Sequence, residues 1–449
     1  MIHSYNFLRF LICFAPIFFN LVVYYTGNVD YHGLFETAKY TSIAKNWLSE
    51  FPENIPPNRL PAYPLFIAII FKIFGIDNLN ALLLAQSILG CITIFLLIKI
   101  LEDLKIGKNF IVLLTVAFNF GIIFRFSTFL PNCFFIFFLT LGVFGFTRFY
   151  LEQRSKYFFI FCSAFFILIL TRPIFYLSIL ITVPLIILHI LKIKKKRFTK
   201  ICLILCLLTS YVSAMGVQIL RSYNYDRSLV YTVQAGEHFF WVIACLSNKY
   251  ACGTRDMKVY NYLRSKYEEE TQKIENLKLE DISKIKFEIG KRYIYEKIDK
   301  SDLFFATFFS YIKLFFHSSL IEIFGAFNLN SDEIYSPVTN NIFEKISSIL
   351  KNALSNPINF IWIMSMILIV FLRLLQFYGF TYCFVNHGLK LYLLIVSSMI
   401  LVLSINGIGI GNPRYRSEIE PLLVILGAVG IDNIKKIIRK QLLKNQQSY

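Results

Sequence analysis

The chain is short of charge. Only 16% of its 449 residues are Asp, Glu, Lys or Arg, while 56% are hydrophobic; a soluble domain carries nearer a quarter charged residues. That excludes an ordinary soluble fold and predicts an all-α polytopic membrane protein. Acid is scarcer than base: 28 acidic residues stand against 46 basic ones, a net charge of +18. In a soluble protein this excess would suggest nucleic acid. Here the basic residues cluster at the ends of apolar runs, so they read as topology determinants and contacts to anionic lipid headgroups, with no nucleic-acid partner. The nine cysteines lie mostly inside apolar runs (Cys13, Cys91, Cys133, Cys162, Cys202, Cys206, Cys383), which argues against a disulfide framework or a metal site. His238 and His317 stand alone, and no His/Cys/Ser nucleophile set appears. Gly407, Gly409 and Gly411 lack the strand–loop–helix context of a phosphate loop, so a nucleotide site is not expected.

What the sequence does contain is apolar runs of spanning length, roughly 20 residues. They fall at 7–25, 79–100, 109–127, 131–149, 157–171, 173–191, 199–220, 358–377, 388–405 and 418–434, about ten transmembrane helices. With the N-terminus inside, the most basic stretches, Lys192–Lys200 and the tail from Lys435, fall on one side. Both termini are then cytoplasmic, in a plasma membrane or bacterial inner membrane, and membrane lipids are the first partners. The run 303–327 is apolar but holds Lys313, His317 and Glu322; it reads as an interfacial or re-entrant helix. The chain divides into an N-terminal transmembrane module (1–220) with a first outer loop (26–78), an outer region (221–357), and a C-terminal module (358–449) ending in a basic tail.

The first outer loop organises the rest. Tyr40, Ile43, Ala44, Trp47, Leu48 and Phe51 recur at helical spacing and form one apolar stripe. Such a helix between two spans lies in the membrane interface. Glu36 sits one turn before Tyr40, Asp30 just past the first span, and Arg59 inside a Pro-bracketed return. Further arginines end other spans: Arg125, Arg172, Arg221, Arg227, Arg414 and Arg416. The positive-inside rule depletes arginine on this side. Snorkelling to outer headgroups explains any single one; as a set beside carboxylates they suit a phosphate pocket, because the guanidinium fork binds phosphate oxygens bidentately. Glycosyl transfer from a phosphate-linked sugar needs that cationic help for the leaving group and a base for the acceptor hydroxyl.

Three motifs carry a family resemblance: Glu36, Tyr40 and Ala44 with Arg59-Leu60-Pro61-Ala62-Tyr63-Pro64 and Phe74-Gly75; Leu170-Thr171-Arg172-Pro173; and Arg414-Tyr415-Arg416 with Pro421 before the last span. In these the chain resembles the GT-C membrane glycosyltransferases, such as protein O-mannosyltransferases and lipid A aminoarabinose transferases. The resemblance implies a GT-C-like helix bundle with interfacial helices capping a cavity. It implies a polyprenyl-phosphate-linked sugar as donor and a glycan, lipid or protein as acceptor. The catalytic base would be Asp30 or Glu36. Donor phosphate binding falls to Arg59, Arg172, Arg414 and Arg416, and the cavity to Tyr40, Tyr63 and Tyr415. Some relatives carry a second acid early in the fourth span; here Phe129-Leu130-Pro131-Asn132 has none, so a metal-bridging pair is not supported and no cofactor is expected. The rival readings are a flippase or transporter of a lipid-linked glycan, which would favour internal repeats and broken mid-membrane helices, and a glycan polymerase or ligase using a lipid-diphosphate donor.

Overall fold

The computed structural model describes residues 2–26, 34–49, 57, 59–106, 116, 119–232, 234–247, 256–272, 274, 277–316, 357–385, 389–407 and 413–446. Among them there are helices and no strands. The N-terminal part comprises α1 (Ile2–Thr26), α2 (Leu34–Ser49), α3 (Ala62–Phe74), α4 (Leu79–Asp103), α5 (Phe120–Arg125), α6 (Pro131–Glu152) and α7 (Ser155–Ile169). A 3-10 turn (Pro173–Ile179) leads to α8 (Thr182–Lys192) and α9 (Arg197–Asp226). Then come α10 (Gln234–Leu246), α11 (Met257–Thr271), α12 (Leu279–Lys297) and α13 (Lys300–Phe316). The C-terminal part is α14 (Pro357–Val385), α15 (Lys390–Ser404), a 3-10 turn (Ile405–Gly407), α16 (Pro413–Ser417) and α17 (Glu420–Gln446).

Local chemistry sets several boundaries. The Asn78 side chain accepts from the Ala81 N–H at 3.0 Å and caps α4. Pro131 opens α6, where a missing N–H costs nothing, and Gln153 closes it in the left-handed conformation at φ 54°. In α2 the stripe read from the sequence turns inward: Tyr40 and Ala44 are buried, while Lys39, Ser42, Asn46 and Ser49 are exposed.

The expected count of about ten spans is not confirmed. Among the described residues four helices are long and apolar enough to cross a membrane, Leu79–Asp103, Pro131–Glu152, Arg197–Asp226 and Ile363–Tyr382, and a fifth if the pair bent by 42° at 173–192 is one span. Asn6–Val22, Ala62–Phe74, Ser155–Ile169 and Lys390–Ser404 are apolar but shorter. At 1.5 Å per residue a 15-residue helix reaches roughly 22 Å, short of a hydrocarbon core of about 30 Å. Residues 109–115, 117 and 118 of the stretch 109–127 lie outside the described residues, and so does the part of 303–327 beyond Phe316.

Ion pairs fix which ends lie together. Arg9 of α1 meets Glu102 of α4 at 2.8 Å, and Arg148 of α6 meets Asp103 of α4 at 2.5 Å. So α1 runs antiparallel to α4, while α6 runs parallel to it, and the stretches 102–106 and 148–156 share one end of the bundle. The interior is aromatic: Phe135 and Phe165 close on Phe175 at 5.7 and 5.0 Å. In a lipid setting such packing, rather than escape from water, holds helices together. The tightest crossing is α14 on α17. A Cβ at Gly379 would run into the Leu426 carbonyl and lie 2.9 Å from the Gly430 nitrogen, so the backbones touch.

Helices α10, α11 and α12 have a core of their own, built on Phe240, Ile243, Leu263 and Ile289. Trp241 stacks on Tyr260 at 4.0 Å, and Gly290 lets Ile243 and Phe239 press against α12. One carboxylate ties the three helices. Glu237 of α10 accepts from Tyr260 of α11 at 2.5 Å and pairs with Lys286 of α12. Burial pushes this carboxyl up, but the bonds from Lys286 and Tyr260 outweigh it and leave it below the usual glutamate range.

Two outcomes follow. Gly379→Leu should force α14 from α17 and destabilise the protein by about 3 kcal/mol, the scale of overpacking in a tight core, read as a lower thermal midpoint in detergent. For Glu237, a folded value below the unfolded one gives stability that is full above the ordinary carboxylate range and lost as pH falls through it into the lowered folded value. Glu237→Gln should therefore flatten the acid side of a pH–stability profile of the whole protein followed by Trp241 fluorescence; an unchanged acid limb would remove this carboxylate as the cause.

Candidate functional site

The opposite end of the bundle from the Arg148–Asp103 pair holds a buried polar cluster. It starts where the first-loop motif returns. The Ala62 N–H donates to the Leu170 carbonyl at 3.2 Å, so Arg59-Leu60-Pro61-Ala62 abuts Leu170-Thr171-Arg172. From α9, Gln218 donates to the Pro57 carbonyl at 3.1 Å and Arg221 to the Arg59 carbonyl at 2.9 Å. Irregular backbone buried at such depth needs partners for its carbonyls, and α9 supplies them. Arg221 also lies over Trp47 of α2, 5.3 Å from the ring centre, which ties α2 to the same spot.

Around this seam the sequence-predicted residues take different places. Arg59 is half-buried and lies over the Tyr40 ring at 5.3 Å. Tyr40 meets Tyr63 edge-on at 5.3 Å. Tyr63 is buried, its hydroxyl donating to Gln86 at 2.8 Å, and Gln86 donates to the Thr128 carbonyl at 3.0 Å. Tyr63 thus holds α3 to α4 and to the 119–130 segment. Tyr415 is half-buried and faces His238 of α10 at 6.1 Å, which brings a histidine remote in sequence to the edge of the cluster. Asp30 lies outside the described residues, as do the side chains of Glu36 and Arg414.

Arg172 and Arg416 are both there, each held by a carboxylate. Arg172 Nη2 pairs with Glu418 at 2.5 Å, and Asn132 of α6 donates to the same oxygen at 2.8 Å. Arg416 pairs with Glu420 at 2.6 Å. Glu420 also takes Arg373 of α14 at 2.5 Å and Asn119 at 2.8 Å. Arg125 donates through Nε to Ser417 at 3.1 Å. Glu418, Glu420, Arg125 and Arg416 are all buried. Glu420 opens α17, where the helix dipole favours an anion. The arginines also meet backbone. Arg373 donates through Nε to the Phe315 carbonyl at 2.9 Å, and Arg416 to the Leu314 and Phe315 carbonyls at 3.3 and 3.2 Å. Both carbonyls belong to the last described turn of α13.

Sequence reasoning missed Arg373, Glu418 and Glu420. Glu418 and Glu420 had a signal: two acids directly after Arg414-Tyr415-Arg416 and at the head of an apolar run are expensive unless paired. Arg373 had one too, a lone charge inside an apolar helix. Asn132, where no acid stands in sequence, meets an acid brought from 286 positions away. Chemically, Glu420 is engaged by two guanidinium groups and an amide, so it works as an anchor that aims cations rather than as a base. A set of arginines aimed this way suits a phosphate or pyrophosphate.

Removing one partner of a buried ion pair leaves the others uncompensated, at about 3–5 kcal/mol. Glu420→Gln should therefore lower the thermal midpoint far more than Glu152→Gln, whose partners Arg148 and Arg154 lie at the exposed opposite end. Equal shifts in detergent-solubilised protein would remove Glu420 as the anchor.

No curated protein matches the chain. Residues 56–236 do match the family model described as the Alg9-like mannosyltransferase family. That stretch contains Arg59–Pro64 and Leu170–Pro173, the two motifs joined by the Ala62–Leu170 hydrogen bond; Asp30, Glu36 and the Arg414–Glu420 segment lie beyond it. Together with its apolar helices, the match makes this a membrane protein similar over 56–236 to the Alg9-like mannosyltransferases, a family of GT-C-type membrane glycosyltransferases, as the loop motif and the Thr171-Arg172-Pro173 turn led us to expect.

Proposed function

We propose that the protein transfers one sugar from a polyprenyl-phosphate donor to a glycan, lipid or protein acceptor at the outer face of the membrane, with inversion. One observation carries this: the two motifs inside the family match are hydrogen-bonded to each other, and Arg172 of the second is ion-paired to Glu418 beside Arg416. Arginines separated by more than 200 positions thus serve one end of the bundle.

In this reading Asp30 or Glu36 accepts the proton of the acceptor hydroxyl. The acceptor oxygen attacks the anomeric carbon from the face opposite the phosphate. The carbon–oxygen bond to the phosphate breaks, and polyprenyl phosphate leaves with the electron pair. Negative charge grows on that phosphate, where Arg59, Arg172, Arg414 and Arg416 stabilise it more strongly than they stabilise the intact donor. Interfacial helix α2 covers the site and keeps water from competing as acceptor. The N-terminus and the basic tail lie on the cytoplasmic side, consistent with the ion-paired end at Arg9, Glu102 and Arg148.

The test is a transfer assay on purified, detergent-solubilised protein with a panel of radiolabelled polyprenyl-phosphate sugars, following release of polyprenyl phosphate. Asp30→Asn combined with Glu36→Gln should abolish release, a loss of at least about 100-fold for a missing general base, while membrane insertion stays normal. Full activity in the double variant would sink the mechanism. Tight lipid binding with no release from any donor would favour a flippase.

A further inference from the structure

Two arginines at the motif seam differ from the others of the site. Arg172, Arg373 and Arg416 each meet Glu418 or Glu420, so their charge is balanced within the chain. Arg59 and Arg221 meet no carboxylate among the described residues. They are joined to each other through the backbone instead. Arg221 Nη1 donates to the Arg59 carbonyl at 2.9 Å and to the Gln218 side-chain oxygen at 3.1 Å. One nitrogen is thereby spent on holding the return loop. Arg221 Nε and Nη2 are buried and have no hydrogen-bond partner.

What the two guanidinium groups do have is aromatic cover. Arg59 lies over Tyr40 and Arg221 over Trp47, each 5.3 Å from the ring centre. Tyr40 and Trp47 stand two turns apart on one face of α2. The Trp47 indole N–H is buried as well and has no partner. The seam thus gathers two uncompensated cations and three unmatched donor nitrogens, Arg221 Nε and Nη2 and Trp47 Nε1. A guanidinium held in a helix bundle without an anion is expensive. The face of a ring is also a weaker partner than an oxyanion that accepts from the guanidinium fork.

The charge count selects the ligand. A phosphodiester, such as a sugar still joined to its lipid phosphate, carries a single negative charge. A phosphate monoester, with a second ionisation at roughly 6, carries nearly two at neutral pH. Two guanidinium groups without an acid match the monoester. In the transfer proposed above, the released group is such a monoester.

We infer that Arg59 and Arg221 form an oxyanion seat beneath α2, capped by Trp47, that prefers the released lipid phosphate monoester to a phosphodiester. The phosphate takes the place of the Trp47 ring beside Arg221 Nε and Nη2, and the indole N–H is the third donor. Helix α2 carries the cover of the seat, and charge on the leaving group displaces it. The identity of the lipid rests on the glycosyltransferase reading; the preference for a monoester rests on the two arginines alone.

The experiment uses the full-length protein in phosphatidylcholine nanodiscs. A fluorescent polyprenyl phosphate is displaced by unlabelled polyprenyl phosphate, phosphatidic acid, phosphatidylglycerol or inorganic phosphate. At about pH 8 the two monoester lipids should displace it at least about tenfold better than the diester phosphatidylglycerol, and this advantage should shrink toward about pH 5 as the second proton returns. Arg221→Met should abolish the advantage, and Arg221→Lys should keep part of it, since the charge remains and the fork is lost. Unlabelled polyprenyl phosphate should change the tryptophan emission of the wild type and not of Trp47→Phe. The wild-type comparison of monoester with diester tests the seat even where Arg221→Met fails to fold. Equal displacement by monoester and diester at about pH 8, or an advantage retained in folded Arg221→Met, would overturn the assignment. Inorganic phosphate as effective as the lipids would make the ligand the free ion and overturn the lipid part. The two proposals fail separately. Transfer that is undiminished in folded Arg221→Met removes the seat and leaves the glycosyltransferase. A monoester preference that depends on Arg221, without transfer from any donor, removes the glycosyltransferase and leaves the seat.

Discussion

Glu420 is shared between Arg373 and Arg416, and the charged end of the bundle depends on that sharing. A carboxylate in a helix bundle is expensive unless paired, and a guanidinium equally so. Here one anion satisfies two cations, and the two cations use remaining donors to hold the end of α13. Five pieces of chain meet through one side chain: the segment at Asn119, α13, α14, α16 and α17. Glu418 repeats the device two residues earlier, joining α6 through Asn132 and the Leu170–Pro173 turn through Arg172.

Charge of this kind needs rigid surroundings, because pairs buried at low dielectric lose their compensation when the geometry slackens. The bundle supplies rigidity where backbones touch at Gly379 and Gly430, a turn below Gln376 and Arg373. It supplies it again where α9 clamps the carbonyls of Pro57 and Arg59. The α10–α12 unit is built differently, with its own apolar core and a carboxylate, Glu237, that ties all three helices. Through α13, which packs against α14 and α16, it is joined in sequence to the charged end of the bundle.

Part of the buried polar cluster is legible in the sequence. The α2 stripe follows from helical spacing alone, and its Tyr40 and Ala44 do turn inward. The arginines at span ends stand out because the positive-inside rule disfavours them, and Arg172 and Arg416 do share one cluster. The limit of that reading shows in the same two residues. Sequence gives a charge at a span end but not its partner, so cations that look open to a phosphate are found with Glu418 and Glu420 already beside them. Tyr63, expected in a cavity wall, is instead a buried strut on Gln86, since a motif does not tell which face of a residue meets substrate.

What the sequence by itself determined is the kind of protein and the motifs that carry its family likeness. Low charge, long apolar runs and basic clusters at their ends are statements about solvent, and solvent acts on each segment separately. The Arg59–Pro64 and Leu170–Pro173 motifs are local as well, which is why a family match can find them. Only the tertiary structure decided how the charges pair, that Asn132 meets an acid from the far end of the chain, and that α13 hangs from two arginines. Those contacts join residues separated by up to 301 positions, and pairing at such distance is set by how helices pack, which no segment encodes alone.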